Sequence, residues 1–404
     1  MEKIERARRL IHVLMGTTAL SFCFGVTAFA QQPSAQQPRA GARRTIQVGP
    51  GKRFTKLSPA VRAARAGDVI EVDVRGRYAG DVLQIRTNNL TIRGVGRGRA
   101  KFPAAGKSAG RKGNWVVSGH NVVVENIEFS GARVSDKNGA GIRAEGRNIT
   151  VRNCKFHDCE NGILGGAGTV LIEHCEFSRC GLNGRAHNLY ISHNTEKLVF
   201  RHNHSHHAMV GHLLKSRAKE NHLLYNYMSD GVDGSSSYVV NFPNGGKCFL
   251  IGNVLCQSPR TQNSTLVAYG EEGIRGTNSE LYLVNNTLVN NRRTGVFVNV
   301  QKVPAAFKLV AKNNIFAGRG TVTNWKNVAA AGNFSGGDPM FVDRAGFDFR
   351  LKPDSPCIDR GVDPGRAGGL DLKPLFQVGP RTPKRERPVN KQIDIGAIEY
   401  SAAP

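Results

Sequence analysis

The chain has 404 residues, of which 40% are hydrophobic and 22% charged, so it can bury a sizeable core. This composition excludes a chain too polar to fold, and its 47 glycines suit a structure with many tight turns. The formal net charge of +25 points to an acidic partner: nucleic acid, an anionic membrane surface or an acidic polysaccharide.

The first thirty residues have the three parts of a secretory signal peptide. The start is basic, an apolar segment covers residues 10–29, and Ala28-Phe29-Ala30 fits the cleavage pattern. The apolar segment is short and interrupted by polar residues, which disfavours the alternative of a membrane anchor. We therefore expect residues 1–30 to be removed, leaving a secreted or periplasmic protein without a transmembrane segment. Export disfavours nucleic acid and favours an anionic polysaccharide as partner.

A short linker and a helical cap are predicted next. Residues 31–44 are rich in Gln, Pro, Ala and Arg without apolar periodicity, which is typical of a disordered linker. Residues 45–48 and 68–74 are predicted strands. Between them, a short helix is expected with Ser58 as its N-cap and Pro59 at the first helical position. This order predicts an N-terminal helical cap.

Repeats then dominate the chain from residue 122 to residue 316. Each repeat is an apolar run that leads to an Asn or His and a further apolar residue. The marker residues are Asn126, Asn153, His174, His202, Asn226, Asn253, Asn286 and Asn314. Their spacings of 27, 21, 28, 24, 27, 33 and 28 predict stacked coils whose loops vary in length, with a polar ladder at the repeated turn. We predict one all-β domain, a right-handed parallel β-helix solenoid over residues 45–335.

A second strand lies between the marker residues in each repeat, for example in residues 188–193, 211–216 and 237–242. Alternation places Leu189 and Ile191 inside and Tyr190 outside. In the next coil Leu214 should point inward and Lys215 outward, because an unpaired buried Lys would be very costly.

Four cysteines share the same periodicity. Cys154 and Cys175 are 21 residues apart, and so are Cys159 and Cys180. A coil of 21 residues would stack each pair on neighbouring coils, within reach of a disulfide. Export permits oxidation, and two ladders of reduced, buried cysteines are an equal alternative.

The last segment, residues 336–404, lacks the repeats and contains Asp338-Pro-Met-Phe-Val-Asp343 and Asp394-Ile-Gly-Ala-Ile-Glu-Tyr400. It resembles the closing segment of many exported bacterial β-helix proteins. Over residues 45–404 the chain resembles the pectate-lyase-like superfamily of right-handed parallel β-helices.

A shorter resemblance bears on chemistry. Leu214-Lys215-Ser216, followed by Asn221 and Tyr225-Asn226, is similar to the strand that carries the catalytic lysine of chondroitinase B and related alginate lyases. Those enzymes cleave uronate polysaccharides by β-elimination, so the resemblance implies this role for Lys215. The coil at residues 240–246 contains no Arg, and the arginine role of those enzymes is therefore not carried over.

The chemistry of β-elimination also assigns roles to the residues directly. A base must remove the proton next to the carboxylate, a cation must neutralise that carboxylate, and an acid must protonate the leaving oxygen. We assign these catalytic steps to Lys215, Arg217, His212 and Tyr190. Tyr238 is a further candidate for the acid. The predicted substrate-binding residues are His193, Tyr238, Asn241, Glu271 and Glu272.

Several alternatives stay open at this point. Lys215 and Arg217 are equally compatible with solvated surface charges, and a C5-epimerase would use the same proton abstraction. Glu271 and Glu272 also suit a glycoside hydrolase, a Ca²⁺ site or a plain loop. A non-catalytic polysaccharide or matrix-binding protein is the third reading. Cofactors are otherwise unknown, no metal ligands are assigned, and a monomer is expected.

The clustered histidines and two aspartates receive structural roles. His202, His204, His206 and His207 are better explained by a hydrogen-bonding ladder than by zinc. Asp230 and Asp233 flank glycines and are predicted to form turns.

Overall fold

The computed structural model describes residues 44–277, 279–379, 382–388 and 391–401. The predicted signal peptide and nearly all of the predicted linker lie outside these residues. No helix in the described ranges is long and apolar enough to cross a membrane.

The strands are short and numerous. The first nine are β1 (Thr45–Val48), β2 (Val69–Asp73), β3 (Leu83–Ile85), β4 (Thr91–Val95), β5 (Ala100–Pro103), β6 (Gly113–Val117), β7 (Val123–Glu125), β8 (Ile127–Ser130) and β9 (Ala140–Arg152). The next nine are β10 (Lys155–His157), β11 (Asn161–Glu173), β12 (Glu176–Ser178), β13 (Leu189–Ile191), β14 (Thr195–Arg201), β15 (His204–His206), β16 (Leu214–Ser216), β17 (Glu220–Leu224) and β18 (Tyr227–Ser229).

The remaining strands complete the repeats and the closing segment. Nine more are β19 (Val240–Phe242), β20 (Gly246–Ile251), β21 (Val254–Gln257), β22 (Thr265–Tyr269), β23 (Ser279–Val284), β24 (Thr287–Asn290), β25 (Val296–Val300), β26 (Lys308–Lys312) and β27 (Ile315–Gly318). The last nine are β28 (Thr321–Thr323), β29 (Val328–Ala331), β30 (Phe334–Ser335), β31 (Phe341–Asp343), β32 (Asp348–Leu351), β33 (Arg366–Ala367), β34 (Leu370–Asp371), β35 (Phe376–Gly379) and β36 (Thr382–Glu386).

Three parallel stacks run along the molecule, and each coil of the chain contributes one strand to each stack. The first stack follows β4, β7, β9, β11, β14, β17, β20, β23, β26 and β29. The second follows β3, β6, β9, β11, β13, β16, β19, β22, β25 and β28. The third runs from β5 to β30. The 13-residue strands β9 and β11 belong to both of the first two stacks. After β30, the described strands pair in three antiparallel hairpins.

The helix α1 (Leu57–Ala63) lies between β1 and β2, and it is the one helix in the described ranges. Its N-cap is Lys56, which makes no side-chain capping bond, so the prediction of Ser58 as N-cap is wrong. The carboxylate of Asp81, from the next coil, accepts the backbone N–H of Leu57 at 2.6 Å instead. A tertiary contact thus satisfies a helix end that local sequence cannot satisfy.

Inward-facing aromatic side chains stack from coil to coil. Phe129, Phe156 and Phe177 are fully buried, and their ring centroids lie 5.0 and 4.9 Å apart. The strand registers place these three rings directly over one another. Burial of each ring contributes about 2–3 kcal/mol, which fixes the register of the third stack.

The polar ladder at the turn between the first and third stacks differs by one residue from the predicted alignment. Registers of the first stack place Asn126, Asn153, His174 and His202 in one column of left-handed residues, with φ between 48° and 59°. Asn226 and the later markers lie one position further along, because Tyr225 takes the left-handed position in its coil. The markers therefore belong to two adjacent columns.

The second column forms the asparagine ladder of Asn203, Asn226, Asn253, Asn286, Asn314 and Asn333. In each step the backbone N–H and side-chain amide of one Asn both donate to the side-chain oxygen of the next, at 2.9–3.1 Å. This ladder is the repeated hydrogen-bonding array that the sequence predicts.

Cysteines continue the same column toward the amino end. Cys175 N–H donates to Asn203 Oδ1 at 2.8 Å, and Cys154 N–H approaches Cys175 Sγ at 3.4 Å. All seven cysteines in the described ranges are buried free thiols. Burial raises the pKa of the Cys175 thiol well above its ordinary value. Of the two predicted alternatives, the structure contains the reduced ladder.

Candidate functional site

The second stack carries the candidate site on its outer surface. Tyr190 of β13, Lys215 of β16 and Asn241 of β19 occupy equivalent positions in three successive coils. Leu189, Ile191 and Leu214 are fully buried. This alternation confirms the predicted inward and outward directions.

Eight side chains meet here, and we call them the Lys215 cluster. They are Tyr190, His212, Lys215, Arg217, Asn241, Asn244, Glu271 and Glu272. The glutamates follow β22, one coil beyond Asn241 and two beyond Lys215, and Tyr190 lies one coil before Lys215, so four coils are needed to assemble the cluster.

Two cations hold one carboxylate at the centre of the cluster. Lys215 Nζ lies 3.1 Å from Glu272 Oε1, and Arg217 contacts both oxygens, at 3.0 and 2.7 Å. The side chains of Lys215 and Arg217 are only 13% and 14% exposed, whereas that of Glu272 is 43% exposed. The hydrogen bond from Arg217 is the main reason that the pKa of Glu272 falls to about 2. Glu272 is therefore ionised at neutral pH, and the two basic residues are not freely solvated charges.

Arg217 is fixed from three sides. Its Nε donates to the Tyr190 hydroxyl at 2.8 Å, and its Nη1 donates to the side-chain oxygen of Asn244. The Tyr190 ring lies 5.5 Å from Lys215 Nζ and 5.6 Å from Arg217 Cζ, within cation–π range. These contacts hold the guanidinium in the orientation that suits a bidentate carboxylate.

His212 lies behind the charged residues and is almost fully buried. Its Nδ1 accepts the backbone N–H of Tyr238 at 3.2 Å, and its Nε2 is 3.3 Å from the Asn241 side-chain amide. Burial lowers the pKa of His212 to about 3, so the ring is neutral at pH 7. Both ring nitrogens thus face protein groups, and the ring forms a buried part of the Lys215 cluster.

A second buried histidine supports His212. The His187 ring stacks on that of His212 at 4.3 Å, and His187 Nδ1 accepts the backbone N–H of His212 at 3.0 Å. Burial lowers the pKa of His187 well below its ordinary value. The neutral imidazole rings of His187 and His212 therefore lie behind the charged groups of Lys215 and Arg217.

Glu271 differs from its neighbour Glu272. Its Oε1 accepts the Asn241 amide at 2.7 Å, while its Oε2 is buried without a partner, as is Asn241 Oδ1. Burial raises the pKa of Glu271 above the ordinary value. Two adjacent carboxyl groups thus have pKa values displaced in opposite directions, an arrangement that often marks a functional site.

Most of the predicted site residues come together in this way. Tyr238 joins through its backbone bond and a ring contact of 5.0 Å with His212. His193 lies exposed in the turn after β13, and no hydrogen bond or ion pair among the described residues joins it to the cluster. The catalytic and binding roles stay predictions.

Sequence reasoning missed Asn244 and His187. Asn244 follows Pro243 and has the appearance of a turn residue, and its contact with Arg217 spans 27 positions. His187 stands just before Asn188, which begins a predicted strand, and is equivalent across one coil to His212. The 25-residue spacing of the two histidines, close to one coil, was the available signal for His187.

The cluster lies on the outward side of the second stack. Two cavities of about 810 and 510 Å³ lie elsewhere, the first beside Gly318–Gly320 and the second beside β1 and β2. In the described ranges, no group of three or more His, Cys, Asp or Glu side chains has the arrangement of a metal site.

Comparison with known proteins establishes the architecture. A family model described as "Right handed beta helix region" matches residues 84–255. The described coils have the fold of a right-handed parallel β-helix. The crystal structure of pectate lyase Pel9A superposes on this β-helix with a TM-score of 0.63, covering 89% of this chain and 97% of that chain at 14% identity. At this identity the likeness concerns the fold alone.

Two further comparisons give no close likeness. A structure of ORF18 from Geobacillus virus E2 matches with a TM-score of 0.26 and 11% identity, covering 69% of this chain and 56% of that chain. No curated protein matches the β-helix at the level of sequence.

Proposed function

We propose that this β-helix is an exported enzyme that cleaves an acidic, uronate-containing polysaccharide by lysine-based β-elimination at the Lys215 cluster. The observation that carries the proposal is the carboxylate held jointly by Lys215 and Arg217. Glu272 provides that carboxylate in the structure, and a uronate carboxylate has the same charge and geometry. The site is thus built to bind the chemical group that distinguishes uronates from neutral sugars.

Exchange of Glu272 for substrate requires only a small movement. Its backbone N–H donates to the Pro243 carbonyl at 2.9 Å, which holds the loop, whereas its side chain is 43% exposed and can rotate outward. The uronate carboxylate then takes its place against Arg217. Because one negative charge replaces another, the net charge of the cluster does not change during the exchange.

The proton transfers follow from this placement. Arg217 stabilises the negative charge that develops on the carboxylate and acidifies the adjacent C5–H. Lys215, in its neutral form, removes that proton as the C4–O bond breaks and the C4=C5 double bond forms. The Tyr190 hydroxyl accepts its bond from Arg217 Nε, so its own proton is available for the leaving oxygen. A C5-epimerase would share the first proton transfer and return the proton to the opposite face.

A glycoside hydrolase is the second candidate, and Glu271 is the observation that favours it. Its raised pKa suits a general acid, and the lowered pKa of Glu272 suits a base or nucleophile. Glu272 is engaged by two cations, however, which reduces its basicity and favours the lyase. In the third candidate, a non-catalytic binding protein, the same cations bind an anionic polymer without turnover.

The remaining expectations belong to this proposal. We infer export through residues 1–30 to the periplasm or the medium, function as a monomer, and a role for α1 as the N-terminal cap. Leu57, Ala60 and Val61 of α1 pack into the core that contains Ile46 and Ile70, which supports the last point.

The decisive experiment treats purified mature protein with polygalacturonate, alginate and glycosaminoglycans. A lyase produces an unsaturated end that absorbs ultraviolet light, a hydrolase produces reducing ends without this absorbance, and an epimerase exchanges the C5 proton without cleavage. Binding without any of these products would leave the binding protein as the surviving candidate. The Glu272→Gln variant should bind uronate oligosaccharides several-fold more tightly, because the competing carboxylate is gone. Glu271→Gln is the matched control.

A further inference from the structure

A second group of chemically active side chains lies on the third stack, away from the Lys215 cluster. His204 and His206 project from β15, and His207 follows at the turn. We call His206 and His207 the histidine pair. Their Nδ1 atoms lie 2.7 Å apart, and the proposed polysaccharide chemistry uses neither ring.

The other nitrogen of each ring faces a carboxylate. His206 Nε2 is 3.5 Å from Glu176 Oε1, and His207 Nε2 is 3.5 Å from Asp233 Oδ1. A carboxylate favours an N–H, not a lone pair, so both Nε2 atoms carry hydrogen. Each Nδ1 then presents its lone pair toward the other ring.

Two nitrogen lone pairs facing each other at 2.7 Å repel, so a cation must stand between them. The simplest cation is one proton, which makes one ring an imidazolium and leaves the other neutral. The same arrangement, with Nδ1 free and Nε2–H directed at a carboxylate, is how proteins orient imidazoles toward transition metals. A metal ion bonded to both Nδ1 atoms at about 2.0–2.1 Å would lie off the line that joins them. It can therefore replace the shared proton after a small separation of the two rings, with each Nε2 still directed at its carboxylate.

From these contacts we propose that the histidine pair binds a divalent transition-metal ion of the zinc, nickel or copper class through the two Nδ1 atoms. Imidazole nitrogen is a preferred ligand of these ions, whereas Ca²⁺ and Mg²⁺ prefer oxygen. The side chains are 17% and 39% exposed, so water reaches the ion and completes its coordination. With two protein ligands, the site has open positions, as exchangeable metal sites do.

Other polar atoms at this corner lack partners. Ser178 is the register neighbour of His206 on β12, and its hydroxyl is buried without a hydrogen bond. Asp230, three residues from Asp233, is fully buried, and its Oδ1 is also without a partner. Buried unsatisfied groups cost free energy, and they are often retained where an ion or water binds.

Zinc titration of untagged mature protein, followed by calorimetry at pH 7.5, tests the site. We expect one equivalent to bind, and at least tenfold weaker binding in both His206→Gln and His207→Gln. His157→Gln is the matched control, because His157 lies in the same column and contacts Asp158 and Glu128 but has no imidazole partner. It should bind zinc like the unmodified protein.

Two outcomes would overturn the proposal. Absence of stoichiometric zinc binding by the unmodified protein would mean that the pair only shares a proton. Equal affinity in the two pair variants would place the ion elsewhere. A measurement on unmodified protein removes the risk of misfolded variants: zinc should bind at least tenfold more weakly at pH 5.5 than at pH 7.5, because it must displace a proton. Binding that does not change with pH would contradict the proposal.

Discussion

The asparagine ladder and the Lys215 cluster are both stacks of polar side chains built by the same coils. In the ladder, the side-chain amide of Asn253 donates to Asn286 Oδ1 at 3.0 Å and to the Leu223 carbonyl at 2.7 Å, while its oxygen accepts two bonds from Asn226. In the cluster, Asn241 and Glu271 each have a buried oxygen without a partner. The side-chain amide of the ladder residue thus has all its hydrogen-bonding groups paired, whereas the Lys215 cluster keeps unpaired oxygens.

The difference separates a structural array from a candidate site. A saturated ladder has no capacity left for a ligand, and each member stabilises its neighbours. The cluster contains partly buried charges, a carboxyl group that burial keeps from ionising readily, and unpaired oxygens, and the desolvation of these groups costs stability. Such costs are expected where the groups serve binding or catalysis.

The largest expected effect tests the cluster through Lys215. Lys215→Ala should reduce turnover of the uronate polymer by roughly 10²–10⁴-fold, because the base is lost. Lys215→Arg should be equally impaired, since a guanidinium does not release its proton near neutral pH. Thermal unfolding should change little in either variant. Lys219→Ala is the control, as Lys219 is exposed and pairs with the exposed Glu196.

The proposed assignment of the base would be wrong if Lys215→Ala retained full activity. Loss of activity in Glu271→Gln alone would transfer the chemistry to the hydrolase mechanism.

The next largest effect tests the ladder. Asn253→Ala should lower the free energy of unfolding by about 3 kcal/mol, because it leaves two buried donors of Asn226 without an acceptor. Activity per folded molecule should be unchanged. Asn121→Gly is the control: Asn121 belongs to an exposed ladder with Asn89 and Asn148, and glycine tolerates its φ of 56°. Denaturant titration should show a clearly larger loss of unfolding free energy in Asn253→Ala than in Asn121→Gly. Equal losses would contradict the larger contribution of the buried ladder to stability.

Asp230 lies between these two cases, in the coil that also carries Asn226 and Asn241. Its Oδ2 accepts the backbone N–H of Ser236 at 3.0 Å, and its buried Oδ1 has no partner. Burial raises its pKa from 3.8 to about 7. The associated stability is fully present below pH 4 and is lost as the pH rises through 7, because the folded state must then bury a charge. Asp230→Asn should therefore raise the free energy of unfolding by about 2 kcal/mol at pH 8 and leave it unchanged near pH 4. Denaturant titrations at both pH values measure this, and a gain at pH 4 alone would reverse the argument.

The smallest effect concerns salt. Polymer binding should weaken several-fold between 50 and 200 mM salt, because salt screens the attraction between a polyanion and the net positive charge of the chain over about 8–10 Å. Thermal unfolding of the ladder-containing core should change much less over this range. Affinity measured by calorimetry at several salt concentrations checks the contrast, and salt-independent binding would argue against a polyanion.

Several features follow from the sequence alone because they repeat. Apolar runs ending in Asn or His, spaced by about one coil, predict stacked parallel strands, since each coil buries its apolar face only against its neighbours. Alternation places Tyr190 and Lys215 outward for the same local reason. The equal spacing of Cys154–Cys175 and Cys159–Cys180 predicts their stacking, although only the structure distinguishes thiols from disulfides.

Other features depend on loops of unequal length, and local pattern does not determine them. The markers moved by one column at Tyr225, because a residue in the left-handed position can be Asn, His or Tyr. Asp81 caps α1 from another coil, and Asn244 fixes Arg217 across 27 positions. In each case the partner lies in another coil. The stacking of the coils brings the two residues into contact, and the neighbouring residues in the sequence do not indicate the pairing.

The sequence by itself determined the repeating coil, the inward and outward faces of each strand and the basic residues at the centre of the candidate site. Only the tertiary structure decided that Glu272 occupies the space between Lys215 and Arg217, that Glu271 and Asn241 keep unpaired oxygens, and that His193 stays outside. The physical reason is distance along the chain. Lys215 and Glu272 are 57 residues apart, and only the stacking of intervening coils brings their charges within 3.1 Å.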